Sequence, residues 1–382
     1  MRTSIDSEIG KIREDTEVPN VAPEKASCPG RASASRYSDP AWLALERGRV
    51  LERAWLVAGL AYRVASPGQY FTFDQLDRSV VVLRDKAGVL RAHHNTCRHR
   101  GTRLLDGAGT VRAIRCPYHD WKYSLDGRLK HVPDEGGFAE PLCKADLGLL
   151  PVNVAEAFGF VWLSFDHAAR PLAETLGGIA AEVEPYRLEE MRPIQEATWT
   201  VSCNWKAILD NATESYHLAA VHGASVLPLT NEQPEFVSHG DNVHLSLAIS
   251  DYGWRRWVDE RTNRGGPYSE RQRAAIHKYV LFPNSLINLV PCHLTIFQVW
   301  PIDAGTCRFF YGFYGRKGAR PLEWLRTRAT WLASRYILRE DWRIIERFQQ
   351  GASEGHAHEH RFHSGEVAID HFHRALERWI GE

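Results

Sequence analysis

The chain has 382 residues, 44% of them hydrophobic and 25% charged, a balance that suits a folded globular protein and excludes disordered or collagen-like chains. At roughly 100–200 residues per domain the length allows two or three domains, and equal counts of Lys+Arg and Asp+Glu, 47 each, give no electrostatic reason to expect nucleic acid or an anionic membrane as partner. No apolar run approaches the roughly 18 residues of a membrane span, and Met1 to Asn20 is charged without the apolar centre of a signal peptide, so the expected compartment is the cytoplasm. Seven cysteines, an odd number scattered over a long chain, argue against a disulfide framework and leave metal binding or catalysis as their more interesting use. The other unusual counts are 13 Trp and 18 His.

Residues 1–36 are polar, without a sustained hydrophobic period, and read as a mobile arm in which Cys28 is incidental. Asp39 to Trp55 carries Trp42, Leu43, Leu45, Val50, Leu51 and Trp55 among charges, the pattern of an amphipathic helix. From Trp55 to Asp166 short apolar runs such as Tyr70–Phe73, Val80–Leu83 and Phe158–Leu163 alternate with turn signals such as Asp126-Gly127, which reads as a compact antiparallel β domain. Helices are expected at Pro171 to Arg187 and from Trp205 to about His222, strands at Asn242 to Ser250, Ser285 to Pro301 and Thr306 to Gly315. A long helix follows from Pro321 to Gln350, stopped by Gly351, and a last one covers Val367 to Ile380. The fold class is therefore α+β: an arm (1–36), a β domain with its preceding helix (37–166) and an α+β domain (167–382).

Two constellations carry chemistry. Cys97-Arg98-His99 is followed after sixteen residues by Cys116-Pro117-Tyr118-His119, each half offering one thiolate and one imidazole in turn-rich sequence. Two Cys on one iron and two His on the other is the ligand set of a Rieske [2Fe–2S] centre. The alternative is a structural zinc site, whose paired ligands are usually spaced by two to four residues, whereas Cys97 and His99 are separated by one. Cys143, Cys203, Cys292 and Cys307 show no such pairing and read as free thiols.

In the second half, Asn204-Trp205-Lys206 precedes Asp210, Glu214, His217 and His222. On one helix Asp210, Glu214 and His217 would share a face, while His222 would point about 140° away from His217, so the helix must end or distort near Val221 to Gly223. On the expected long helix, Asp341 falls in the middle of a stripe of Ile337, Leu338, Ile344, Ile345 and Phe348, where a carboxylate is costly unless paired or metal-bound. His217, His222 and Asp341 then make a 2-His-1-carboxylate triad for Fe(II), with Glu340 as the competing third ligand.

These strings resemble the large, catalytic subunit of Rieske non-haem iron oxygenases, the ring-hydroxylating and demethylating family, over nearly all of the chain from Tyr37. The resemblance implies a helix-grip catalytic domain, a [2Fe–2S] cluster, a mononuclear iron, and a head-to-tail homotrimer in which the cluster of one subunit donates to the iron of the next across a carboxylate three residues before the first iron histidine. That residue is Glu214 here, as in members resembling quaternary-ammonium oxygenases; its other role is to orient His217 within one subunit. With no Gly-x-Gly-x-x-Gly turn and no plant-type Cys spacing in the chain, NAD(P)H must act through a separate flavin/iron–sulfur reductase, perhaps with a ferredoxin. Together with O2, such an enzyme would hydroxylate, dihydroxylate or oxidatively demethylate a small aromatic or quaternary-ammonium/carboxylate substrate. Trp254-Arg255-Arg256-Trp257, Phe297, Trp300, Tyr311 and Phe313 are candidates for contacting it. A Rieske electron carrier, or a zinc-stabilised helix-grip binding protein, are the alternatives. His356, His358, His360, His363, His371 and His373 near the end read as a solvated connection rather than a metal site.

Overall fold

A computed structural model describes residues 30–230, 234–249, 268–291, 293–316, 321–356 and 358–381. Trp254 to Trp257, with the proposed Arg255/Arg256 clamp, and Cys28 and Cys292 lie outside the described residues. Strands in chain order are β1 Arg31–Ser33, β2 Leu56–Leu60, β3 Gln69–Gln75, β4 Arg78–Arg84, β5 Leu90–His94, β6 Ala108–Thr110, β7 Ile114–Arg115, β8 Lys122–Tyr123, β9 Leu129–His131, β10 Asn153–Ala157, β11 Phe160–Ser164, β12 Met191–Val201, β13 Glu235–His239, β14 Asn242–Ala248, β15 Ala275–Leu281, β16 Ser285–Val290, β17 His293–Asp303, β18 Thr306–Arg316 and β19 Glu359–Arg361.

The first half folds as small antiparallel sheets: a four-stranded one in the order β5-β4-β3-β6, and three-stranded ones in the orders β10-β11-β2 and β7-β8-β9. The second half is one seven-stranded antiparallel sheet, β12-β18-β17-β16-β15-β14-β13, with the long helix Pro321–Glu354 against one face. Trp331, Leu338 and Ile345 of that helix join Phe309, Tyr311 and Phe313 of β18 and Leu209 of the helix Trp205–Thr213 in one core. The opposite face, with Ile287, Leu289 and Tyr279, packs on the linking segment Leu172, Ile179 and Tyr186. The α+β class and the order of β domain then α+β domain agree with the sequence reading.

Several elements differ from it. The end of the expected arm is folded: β1 pairs with β19, and Ala34 and Tyr37 are buried. The helix after it covers only Pro40–Glu46, passing into a π turn at Arg47–Leu51. It belongs to the second domain's core rather than the first, since Trp42, Leu43 and Tyr37 pack there and buried Glu46 pairs with Lys206 at 2.7 Å. Met191–Val201 was invisible as a strand because it contains Pro193, which is tolerated at the sheet edge that β12 occupies. The long helix runs through Gly351 to Glu354 and stops before Gly355, whose φ is +74°. One helical glycine costs only about 1 kcal/mol, and Gln349 and Ala352, both buried, hold that turn in the core. No helix among the described residues is long and apolar enough to cross a membrane.

Candidate metal centres

Two loops on the β domain close in the same way. Cys97 N–H donates to the Thr102 carbonyl at 2.8 Å and Gly101 N–H returns to the Cys97 carbonyl at 3.0 Å; Cys116 N–H donates to the Trp121 carbonyl at 2.8 Å and Asp120 N–H returns to the Cys116 carbonyl at 3.1 Å. The fifth residue of each loop must take positive φ: Gly101 supplies +76° without penalty, and Asp120, at +53°, is pinned by a bidentate pair with Arg115 at 2.8 and 2.9 Å. The sequence thus folds into a pseudo-symmetric pair of cradles from unlike spacings, Cys-x-His and Cys-x-x-His.

The cradles turn their thiols inward and stack their imidazoles. Cys97 and Cys116 are each 3% exposed. Burial, with the adjacent Cys116, raises the Cys97 thiol against the opposing Tyr123 hydroxyl. The His99 and His119 rings are 4.7 Å apart, His99 lies flat on Trp121 and His119 on Tyr118. Both Nδ1 atoms are buried with no hydrogen-bond partner, the state expected of nitrogens whose partner is a metal.

The second constellation lies between the helix Trp205–Thr213 and the long helix. The expected continuous helix from Trp205 to His222 breaks at Glu214, whose backbone is extended, and resumes as Leu218–Val221. Glu214 causes the break: its Oε2 accepts from the backbone N–H groups of Tyr216 and His217, offering them a partner other than the helix. The distortion expected near Val221 to Gly223 therefore falls chiefly seven residues earlier, and Asp210, Glu214 and His217 do not share a helical face.

The break brings the ligand atoms of His217, His222 and Asp341 within 4.8 Å of one another. Asp341 Oδ1 is 2.7 Å from His222 Nε2 and 3.6 Å from His217 Nε2. Each ring is held from behind: Glu214 Oε1 accepts from His217 Nδ1, and Glu340 Oε2 accepts from His222 Nδ1 at 2.9 Å and from Ser225 Oγ at 2.7 Å. Both Nε2 atoms then carry lone pairs toward the common point, the tautomer a metal ligand needs. Glu340, read as a competing ligand, is thus the carboxylate behind His222.

The same kind of search finds only one other group of three donors this tightly gathered among the described residues, Glu182, His239 and His244. The four first-domain residues are not so gathered, as expected of a set spread over two iron atoms rather than one tetrahedral ion. Cys203 and Cys307, unpaired in the sequence reading, lie as buried neighbours with sulfurs 3.7 Å apart, while Cys143 is exposed. Nor are the late histidines one solvated connection: His360 packs on Tyr37, His363 on Tyr216, and buried His373 bonds the Tyr37 hydroxyl at 2.9 Å.

The inward-facing thiols and imidazoles on one domain have the donor set of a Rieske cluster, and the His/His/carboxylate group on the other that of a mononuclear iron. The chain belongs to the Rieske non-haem iron oxygenase family: residues 188–382 match the family described as ring hydroxylating alpha subunit (catalytic domain), and residues 54–144 the Rieske [2Fe-2S] domain. It is therefore a Rieske-type mono- or dioxygenase that carries a [2Fe–2S] cluster and a mononuclear iron. It is similar to the glycine betaine monooxygenase oxygenase subunit of Chromohalobacter salexigens, 34% identical over 70% of this chain and 66% of that one. With the carnitine monooxygenase oxygenase subunit of Escherichia coli K12 it is 28% identical over 89% of this chain and 91% of that one. The fold is shared with a quaternary ammonium Rieske monooxygenase solved with L-carnitine (TM-score 0.77, 22% identity, 93% and 96% coverage) and with naphthalene 1,2-dioxygenase solved with indole (0.76, 22%, 94% and 94%).

Sequence reasoning missed a polar row inside the sheet. Lys278, Asn288, Thr295 and Phe313 are register neighbours across β15, β16, β17 and β18, on the face toward the long helix. Asn288 Nδ2 donates to Thr295 Oγ1 at 2.9 Å, its Oδ1 is buried without a partner, and Lys278 Nζ donates to the Ala212 carbonyl at 3.1 Å. Burial lowers the Lys278 ammonium, opposed by the charges of Asp341 and Glu214, and its bond to Ala212 ties it to the helix that leads to Glu214 and His217. Strand alternation read with charge in mind is the signal: Lys278 shares a face with Ile276 and with Val280, which is buried in the core under the long helix. Of the aromatic candidates, Phe297, Tyr311 and Phe313 share this side, with Tyr311 stacked on Trp331 at 5.4 Å. Trp300 does not: it lies on the other face against Phe73 of the first domain, 5.4 Å between ring centroids.

Proposed function

We propose that Cys97, His99, Cys116 and His119 hold the [2Fe–2S] cluster, that His217, His222 and Asp341 hold the mononuclear iron, and that the chain is the oxygenase component of a monooxygenase for a quaternary ammonium compound bearing a carboxylate. The pair of metals supplies dioxygen activation fed by single electrons from the cluster. The protein's part is to fix tautomers, position substrate and exclude water. Glu214 and Glu340 hold the two iron imidazoles as Nε2 ligands. Electrons from NAD(P)H enter through a separate reductase, since no dinucleotide-binding turn is found in the sequence.

The observation that carries the substrate reading is Lys278. Its side chain is half-buried, and two of its three N–H donors remain after the Ala212 bond. With Asn288 and Thr295 beside it, the row supplies convergent donors for a carboxylate. Tyr311, Trp331 and Phe297 supply π faces for a methylated ammonium. An all-hydrocarbon substrate would leave this polar row unpaired. Glycine betaine and carnitine, the substrates named for the relatives, have both groups.

A head-to-tail trimer joins the two centres of neighbouring subunits and closes the ring that such a heterologous contact requires. Tyr118, beside His119, and Tyr216, beside Glu214, are 58% and 62% exposed, and such a contact would cover both. Lys278→Met tests the substrate reading: with a surrogate reductase, KM for glycine betaine or carnitine should rise about 10- to 100-fold, the worth of one charge-assisted hydrogen bond, while choline, which has no carboxylate, keeps its KM. Equal loss for all three would remove the anchor.

A further inference from the structure

Away from both iron centres, three donors from three elements converge. Glu182 stands on the short helix Ile179–Val183, His239 ends β13 and His244 lies within β14. Their ligand atoms all lie within 4.8 Å of one another, and their side chains are 33%, 14% and 6% exposed. Val243 and Leu245, the strand neighbours of His244, face the core that holds the long helix. His244 therefore points to the opposite side of the sheet, and the sheet separates this cluster from His217, His222 and Asp341.

Hydrogen counting along the chain of contacts leaves two neutral imidazoles one hydrogen short. His277 Nε2 lies 3.2 Å from the Arg271 carbonyl, which can only accept, so that nitrogen bears a hydrogen. His277 Nδ1 lies 2.9 Å from His244 Nε2, and one hydrogen must sit between them. His244 Nδ1 then faces Glu182 Oε2 at 2.7 Å, a third contact that also needs a positive centre. Two neutral imidazoles supply two hydrogens for these three contacts. The third is filled by an extra proton or by a metal ion.

Geometry favours the metal. His239 Nε2 approaches the other carboxylate oxygen, Glu182 Oε1, at 3.1 Å, yet neither this approach nor the 2.7 Å one from His244 Nδ1 has the angles of a hydrogen bond, and the Tyr279 hydroxyl is the further group on the carboxylate. Donor atoms that crowd together without hydrogen-bond angles are arranged around a point, not along a line between two atoms. Behind His244, the His277 ring and the Arg271 carbonyl form the relay that orients a metal-binding imidazole.

We propose that Glu182, His239 and His244 form a second, structural metal site of the zinc class, independent of the two iron centres. It ties the helix Ile179–Val183, which links the domains, to the β13–β14 hairpin at the sheet edge. Two imidazoles and a carboxylate suit Zn2+, with water or the second carboxylate oxygen completing four-coordination.

The test uses the full-length enzyme with both iron centres loaded, dialysed against micromolar Zn2+ and analysed for zinc and iron, alongside Glu182→Gln, His239→Gln and His222→Ala. The expected result is about one zinc per chain in wild type, retained in His222→Ala, and held at least about tenfold more weakly in the two site variants. Iron content and the Rieske visible spectrum should be unchanged in those two variants, which also shows that they fold. A chelator, which draws the mononuclear iron from both, should lower the thermal midpoint of wild type further than that of Glu182→Gln. Zinc content equal in wild type, Glu182→Gln and His239→Gln, or zinc lost from His222→Ala instead, overturns the proposal, and so does the same chelator response in all variants.

Discussion

Glu340 offers the sharpest test of the iron site, because the sequence left it in competition with Asp341 and the geometry separates their roles. Asp341 Oδ1 approaches the Nε2 of both histidines, whereas Glu340 touches only the far side of His222, at Nδ1, and the Ser225 hydroxyl. Glu340→Ala removes an acceptor that fixes the His222 tautomer and ring plane but leaves three ligands. The expected loss is about 10- to 100-fold in iron affinity, equivalent to about 1.4–2.7 kcal/mol. Glu340→Gln keeps an oxygen within reach of Nδ1 and should recover much of it. Asp341→Asn removes a ligand and should leave the site empty at iron concentrations that still fill Glu340→Ala. The assay is iron retention against a graded chelator, with the Rieske EPR signal as internal standard for folded protein. If Glu340→Ala empties the site and Asp341→Asn does not, Glu340 is the ligand and the assignment made here is wrong.

Two further outcomes follow from buried contacts. The Tyr123 hydroxyl accepts from Arg98 N–H at 3.0 Å and lies 3.3 Å from Cys97 Sγ, so Tyr123→Phe removes a hydrogen bond to a sulfur proposed to hold the cluster; a preference of about 1 kcal/mol for the reduced state would vanish, lowering the potential by about 40 mV, and a redox titration followed by EPR with no shift would dismiss that bond. Glu46 and Lys206 are 1% and 0% exposed and 2.7 Å apart, with Trp205 Nε1 also donating to Glu46; Glu46→Gln should destabilise the fold by about 3–5 kcal/mol in denaturant melts by stranding the ammonium, while the double variant with Lys206→Met should regain most of it, and full additivity of the two losses would refute the coupling.

What could be read from the sequence was what depends on residue type and local period. The β domain's strands, the final helix Val367–Ile380 and the metal-binding residue types all have short-range signals. The same holds for Asp341, a charge in an apolar stripe. What escaped depends on contacts distant in sequence. Glu46 caps nothing locally and is explained by Trp205 and Lys206, the latter 160 residues away. Met191–Val201 is a strand only because the sheet offers it an edge. The helix break at Glu214 is set by a side chain that outcompetes backbone bonding, and no hydrophobic pattern marks it. Glu182, His239 and His244 gave no motif at all, since a helix and a hairpin bring them together.

The two iron sites also show why spacing alone could not reveal which nitrogen of each histidine binds. His99 and His119 are backed by the rings of Trp121 and Tyr118 and leave Nδ1 buried and unpartnered. His217 and His222 are backed by carboxylates at Nδ1 and turn Nε2 toward Asp341. With the proposed ligands, the same side chain would serve with opposite nitrogens, selected by what packs behind it. A carboxylate behind an iron imidazole adds basicity and fixes the ring, which suits a centre that must keep its metal while substrate and dioxygen come and go. An aromatic face adds no negative charge, and with Arg100 lying over Tyr118 a cluster held by these imidazoles would have a potential above that of all-thiolate ligation. A cluster held there would be the readier acceptor of electrons from a low-potential donor.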